Sequence, residues 1–343
     1  MHHARAIVPR DVLDRLAADR SLHPDARRCA ADTARICTQM RALRRQSARL
    51  AGALCHAGGH LLALASSPEV AVSDCRRTRS LPGAPVPAAA ASPDPVARRV
   101  HELCLRVAGF YAAVFGRNSL DDAGMTLASS IHFGRHFDNA LWLGGQLLFG
   151  DGDGRLFANF AEDADVVAHE LTHGVTQFSL QPGEEGEAGG LGESLADCFA
   201  AMFRQWEAGD DAAGADWRIG TGLLGPDVRA QGFTCLRDMA APGDPRALAA
   251  QPEHHARLTP GMDPHAASGP PNLAFCLACK AAGGRSWEGV GQVWYEAMAM
   301  SGPRPGLSMS AFANLTRQVA ARRGGARPAL GAAIDAAWRR VGL

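Results

Sequence analysis

The chain has 343 residues, and its 35 Lys plus Arg balance 35 Asp plus Glu, so the formal net charge is zero with His neutral. That balance gives no reason to expect a nucleic acid or an anionic membrane surface as a partner. The length permits a sizeable core and two lobes, while no apolar run is long enough for a membrane span. The start, from Met1 to Asp14, lacks the uninterrupted apolar core of a secretory signal. The nine cysteines are scattered without a disulfide pattern, and the pair Cys276 and Cys279 lacks a second pair for a zinc ribbon. Buried, reduced thiols are the expectation. The expected location is cytoplasmic, or exported without a classical signal peptide.

In chain order, residues 5 to 50 contain short amphipathic helical stretches such as Asp11 to Ala17, with many Arg on the polar faces. Residues 51 to 66 are small and apolar. Leu81 to Pro95 is rich in Pro and Ala and reads as an extended linker or arm. Residues 96 to 115 carry helical periodicity through Val100, Leu103, Val107, Phe110 and Val114. Strand and turn signals follow from 126 to 161, with Gly150-Asp-Gly-Asp-Gly154 read as a turn. From about 162 onward the chain reads mainly as helices broken by Gly and Pro loops. A β-containing lobe followed by an α lobe suggests α+β.

The segment Asp165 to Gln177 contains His169-Glu-Leu-Thr-His173, an H-E-x-x-H pattern. On a helix, positions i and i+4 share one face, so both imidazoles can reach one ion. Glu170 sits beside that face, where a carboxylate can accept a proton from the attacking water. Zinc suits such a site because it binds imidazole and carboxylate and lowers the pKa of bound water toward ~7. A second predicted helix opens at Gly189 to Asp197, and Glu193 lies 20 residues after His173. A returning antiparallel helix can therefore supply Glu193 as third ligand and leave one position open. Asp197, one turn on, can hydrogen-bond the free nitrogen of a ligating histidine.

These motifs resemble the thermolysin family of zinc metallopeptidases, most of all its protealysin-type branch with a short propeptide. The resemblance rests on residues 169–176, the helix start ending at Asp197, and the runs 116–122, 138–142 and 149–154. Leu236-Arg-Asp-Met239 and His265 to Asn272 extend it. It implies a two-lobe α+β fold with one catalytic zinc in the cleft between lobes, and protein or peptide substrates. The implied domains are a propeptide-like arm at 1–75, a β-containing lobe at 76–178 and a helical lobe at 179–343. His265 would stabilise the oxyanion. Asn139 and Ala140 would lie on the edge strand that binds substrate by β-augmentation. Arg237 would bond the substrate carbonyl and brace the pocket that follows the scissile bond. Phe157, Phe160, Val166, Ile219 and Leu236 would form that pocket, giving preference for a bulky apolar residue there. Ile7 to Ala17 resembles the start of the short propeptide, which implies a zymogen whose arm fills the cleft until cleavage near residues 60–80.

Several positions depart from the family pattern. The usual assisting tyrosine falls on Glu184, and the Asn before the third ligand is Gly192. The aspartate that orients the histidine falls on Pro260, with Asp263 close enough to substitute. The double calcium site keeps Asp165 and Asp216, but Arg204, Arg218 and Thr221 replace other ligands. Calcium wants six to eight oxygens, so this double site is predicted absent, with ion pairs in its place. Three other classes stay open: a weakly active or inactive zinc-binding homologue acting as a binding module, a hydrolase of non-peptide amides, and a structural zinc site.

Overall fold

The computed structural model describes residues 5–51, 68–323 and 328–343. Cys55 and residues 60–67 of the expected cleavage region lie outside the described residues. The chain divides into two compact units. The first comprises Met1–Ala112, Arg117–Gly174 and Gly222–Gly232, and the second the remainder.

The first unit opens with β1 (Arg5–Ala6), α1 (Arg10–Ala18) and α2 (Pro24–Ala51). Next come β2 (Val70–Asp74), β3 (Ala84–Pro85), α3 (Pro95–Phe115), β4 (Leu127–Ile131), β5 (Ala140–Trp142) and β6 (Leu147–Phe149). The strands form one six-stranded sheet in the order β1-β5-β6-β4-β2-β3. β2 and β6 flank β4 in parallel, whereas β1 with β5, β5 with β6 and β2 with β3 are antiparallel. The apolar stripe expected on α3 is buried, including Val100, Leu103, Val107 and Phe110. A cluster of Ala6, Ile36 and Cys37 from the N-terminal segment packs with Phe133, Phe137, Leu141 and Leu148 of the sheet region.

Two elements differ from the sequence reading. The amphipathic stretches around residues 24–51 are one helix of 28 residues. The Pro/Ala-rich run is no linker: it supplies β3 and a 3-10 turn at Ala89–Ala91. Val86 donates its N–H to Val72 O at 2.8 Å, and Ser130 Oγ donates to Pro82 O at 2.9 Å. Prolines fit there because an outer strand needs no donor on its free side.

The helix α4 (Ala164–Gln177) starts in the first unit and is capped by Asp163, whose Oδ1 accepts from the N–H groups of Asp165 and Val166. α5 (Gly186–Ala208), the two-stranded pair β7 (Arg218–Ile219) and β8 (Arg237–Asp238), and α7 to α11 belong to the second unit. The short α6 (Pro226–Ala230) lies in the first. The later helices are α7 (Pro264–Ala267), α8 (Gly269–Ala282), α9 (Val290–Ala299), α10 (Met309–Arg323) and α11 (Pro328–Arg340). Trp294 and Trp338 stack with ring centroids 5.5 Å apart, and Phe275 and Phe312 meet Trp294 edge-on. Among the described residues no helix is long and apolar enough to cross a membrane. All the described cysteines are free thiols, and only Cys29 is not buried.

Candidate metal centre

His169, Glu170 and His173 follow each other on α4, and all three are buried. The two Nε2 atoms lie 3.1 Å apart. One ligand atom from each of His169, His173 and Glu193 lies within 4.8 Å of the others. Gly174, just after the motif, is closely packed: an added Cβ would fall 2.6 Å from Leu120 Cδ1, so the Leu120 side chain would have to shift. Glu170 Oε2 accepts the backbone N–H of Trp142 at 2.6 Å, so β5 holds the carboxylate from the sheet side. Nothing in the sequence signals that bond, because any residue supplies a backbone N–H.

In the second unit, α5 carries Glu193 and Asp197 on one face. Asp197 is fully buried and accepts from Arg237 Nε at 2.8 Å, Arg237 Nη2 at 2.7 Å and Asn272 Nδ2 at 2.9 Å. Arg237 is itself 1% exposed, so this is a buried bidentate ion pair and not a surface one. Asn272 is the member of this set to which sequence reasoning assigned no role. Gly190 lets α7 come close, since a Cβ there would meet Ala267 Cβ at 2.8 Å. That approach brings His265 Nε2 to 3.3 Å from Glu193 Oε2. Asp263 caps α7 and accepts from His265 Nδ1 at 2.7 Å and from its N–H at 2.9 Å. Burial disfavours a charged His265, but the Glu193 and Asp263 carboxylates outweigh it and raise the imidazole above its ordinary value.

The sheet edge beside Glu170 is covered by the chain's own N-terminal segment. Arg5 pairs with Trp142 and Ala6 with Leu141 in antiparallel register. Ile7 donates its N–H to Ala140 O at 3.2 Å. Val8 donates to Asn139 Oδ1 at 2.9 Å, and Asn139 Nδ2 returns a bond to Val8 O at 3.0 Å. Ala6, Ile7 and Val8 are fully buried. From α2, Thr33 Oγ1 accepts the N–H of Asp138 at 3.0 Å, which clamps the approach to β5.

A family model of the thermolysin metallopeptidase catalytic domain matches residues 99–177, and one of the thermolysin metallopeptidase alpha-helical domain matches residues 184–343. The chain belongs to the thermolysin family of metallopeptidases. An extracellular metalloprotease of Pectobacterium carotovorum subsp. carotovorum is 38% identical over 243 residues, covering 68% of this chain and 69% of that protein. Protease PrtS of Photorhabdus sp. is 35% identical, and the match spans 60% of this chain and 58% of the relative. With a bacillolysin of Bacillus cereus the match spans only 26% of the relative. The solved precursor of protealysin, a metalloproteinase from Serratia proteamaculans, superposes with a TM-score of 0.81 at 30% identity. That match covers 98% of this chain and 99% of the precursor. As a thermolysin-family member the chain is a zinc metalloendopeptidase of α+β fold, with a sheet-containing N-terminal region and a helical C-terminal domain.

Thermolysin-family membership implies a catalytic zinc, and the residues present fit it. Two imidazole nitrogens this close repel unless a proton or a cation lies between them, and a buried carboxylate completes an N/N/O donor set of the zinc type. Arg218 forms a bidentate pair with Asp216 at 2.9 Å on both arms, and Arg204 Nη2 donates to the Asp216 backbone O at 2.8 Å. The five apolar residues Phe157, Phe160, Val166, Ile219 and Leu236 are all fully buried.

Proposed function

We propose that the chain hydrolyses peptide bonds within proteins, is made as a zymogen, and prefers a bulky apolar residue after the scissile bond. The observation that carries this reading is the buried His169, His173 and Glu193 set, with Glu170 anchored beside it on the Trp142 N–H. Zinc, when bound, supplies Lewis acidity that lowers the pKa of coordinated water and polarises the substrate carbonyl. Glu170 takes the proton of the attacking water and passes it to the leaving amine. His265, held by Asp263, donates to the carbonyl oxygen as negative charge builds there. The Arg237 and Asp197 pair holds its part of the site rigid, and Arg237 bonds a substrate carbonyl. Asn139 and Ala140 align the substrate strand, and Phe157, Phe160, Val166, Ile219 and Leu236 provide the apolar pocket.

The bonds of Arg5 to Val8 to β5 support the arm as an intramolecular inhibitor: it occupies the strand position that a substrate would take. The name of the Pectobacterium relative supports the exported alternative for this chain as well. Zinc is the one metal proposed, because the Arg204, Arg218 and Asp216 contacts put guanidinium groups where paired calcium ions would need carboxylates. Glu184 in the place of the family's tyrosine, with Gly192, favours a second reading, a weakly active or inactive zinc-binding homologue that acts as a binding module.

The test is cleavage of casein by the wild type and by Glu170→Ala. Activity abolished by chelation, restored by zinc and absent in the variant is the expected result. A processed wild type that binds one zinc yet cleaves nothing would move the assignment to the second reading. Cleavage sites preceding acidic or basic residues would remove the apolar preference.

A further inference from the structure

The short helix α7 that presents His265 is fastened by a side chain outside the catalytic set described above. Gln251 is 4% exposed. Its Nε2 donates to the His265 carbonyl and to Ser268 Oγ at 2.8 Å. Ser268 Oγ in turn donates to the same His265 carbonyl at 2.8 Å. The three groups close a triangle around one backbone oxygen. Gln251 is braced in its own place, since its N–H donates to Pro242 O at 2.6 Å. The adjoining Pro252 carbonyl lies against Gly269, where an added Cβ would sit 2.2 Å from it.

A helix of four residues has too few internal bonds to hold a fixed orientation. Asp263 fixes one end of α7 through the His265 N–H and the imidazole ring, but a carboxylate accepts only and cannot hold the His265 carbonyl. The Gln251 and Ser268 donors hold that carbonyl from the opposite side. The amide is also a poor choice as filler: its Oε1 is buried without a hydrogen-bond partner. A leucine or methionine would fill the volume without that cost, so the donor is the part the fold needs.

We infer that Gln251 is a positioning residue for peptide hydrolysis, locking α7 so that His265 Nε2 stays aimed at the substrate oxygen. The inference rests on the proposed oxyanion role of His265, and a double-mutant cycle separates the two. The processed enzyme is assayed as wild type, Gln251→Leu, His265→Ala and the double variant, each checked for zinc content and melting temperature. Gln251→Leu should lower kcat about tenfold with KM and bound zinc unchanged. Affinity for a phosphinic peptide, which mimics the tetrahedral state, should fall by the same factor as kcat/KM. In the His265→Ala background Gln251→Leu should change kcat less than about twofold, because the two act as one unit. Should Gln251→Leu fail to fold, Ser268→Ala removes one donor of the triangle and should give a smaller loss of the same kind. Equal losses in both backgrounds, or a KM effect alone, would overturn the inference while leaving the oxyanion reading intact. A His265→Ala variant with wild-type kcat would remove the oxyanion reading and this inference with it.

Discussion

His132 follows β4 with a φ of +54°, and its ring is held between two carboxylates. Nδ1 lies 2.5 Å from Asp151 Oδ1, and Nε2 lies 2.9 Å from Asp94 Oδ2. Asp151 first, then Asp94, outweigh the burial penalty and raise the imidazole to about 9 from 6.5. A raised folded-state pKa means that the stabilisation is complete below about pH 6.5 and is lost as pH rises through 9. Urea unfolding of the inactive Glu170→Ala chain should show this as a loss of about 1–3 kcal/mol between pH 6 and 9.5. His132→Asn, which tolerates the left-handed backbone, should flatten the profile. Arg237 gives a second test at this scale. Arg237→Leu leaves the Asp197 carboxylate buried with its charge uncompensated, and should lower unfolding free energy by about 3–5 kcal/mol in the same assay. The grouping of His169, His173 and Glu193 was legible in the sequence because metal chemistry demands particular side chains at particular spacings. The Trp142 N–H and the Gln251 amide were not, since a backbone donor has no residue identity and a lone buried glutamine has no pattern.

The N-terminal segment makes its case at the level of elements. It anchors through a two-residue strand, and then through α1 and α2, whose Val12, Leu13, Leu16, Ala30 and Ile36 are buried. Gln231 Nε2 reaches back to Asp19 Oδ2 at 2.8 Å, so α1 is also tied at its end. Ile7→Pro deletes the donor to Ala140 O while the helices remain, and should loosen the strand selectively. Full-length Ile7→Pro should therefore cleave a fluorogenic peptide several-fold faster than the full-length wild type. Equal rates would mean that the strand contact contributes little to latency. Helices α3, α4 and α5 were readable from periodicity and motif, since their buried faces recur over several turns. β1 and β3 were not, because two residues cannot display an alternation. The Pro/Ala run of β3 was misread for a related reason: its local composition suits a free linker, and only the long-range bonds to Val72 and Ser130 make it part of a sheet.

For the whole molecule, zinc binding and folding are coupled, because the ligand set exists only in the folded chain. Removal of zinc should lower the melting temperature, and restoring it at about 100 times its dissociation constant should return about 2.7 kcal/mol. A calcium-selective chelator should leave the melting curve unchanged if the Arg218 and Asp216 pair stands in for the ions, and a marked drop would restore the calcium site. The sheet order has a further consequence. With the arm in place, both outer strands, β1 and β3, are only two residues long, too short to template another chain. With the arm removed, as proposed above, β5 would become an open rim whose Ala140 carbonyl has lost the Ile7 N–H, and two such rims could meet across a twofold axis. The N-terminal segment of the full-length chain thus shields a rim that a processed enzyme would offer to substrate or to a second copy.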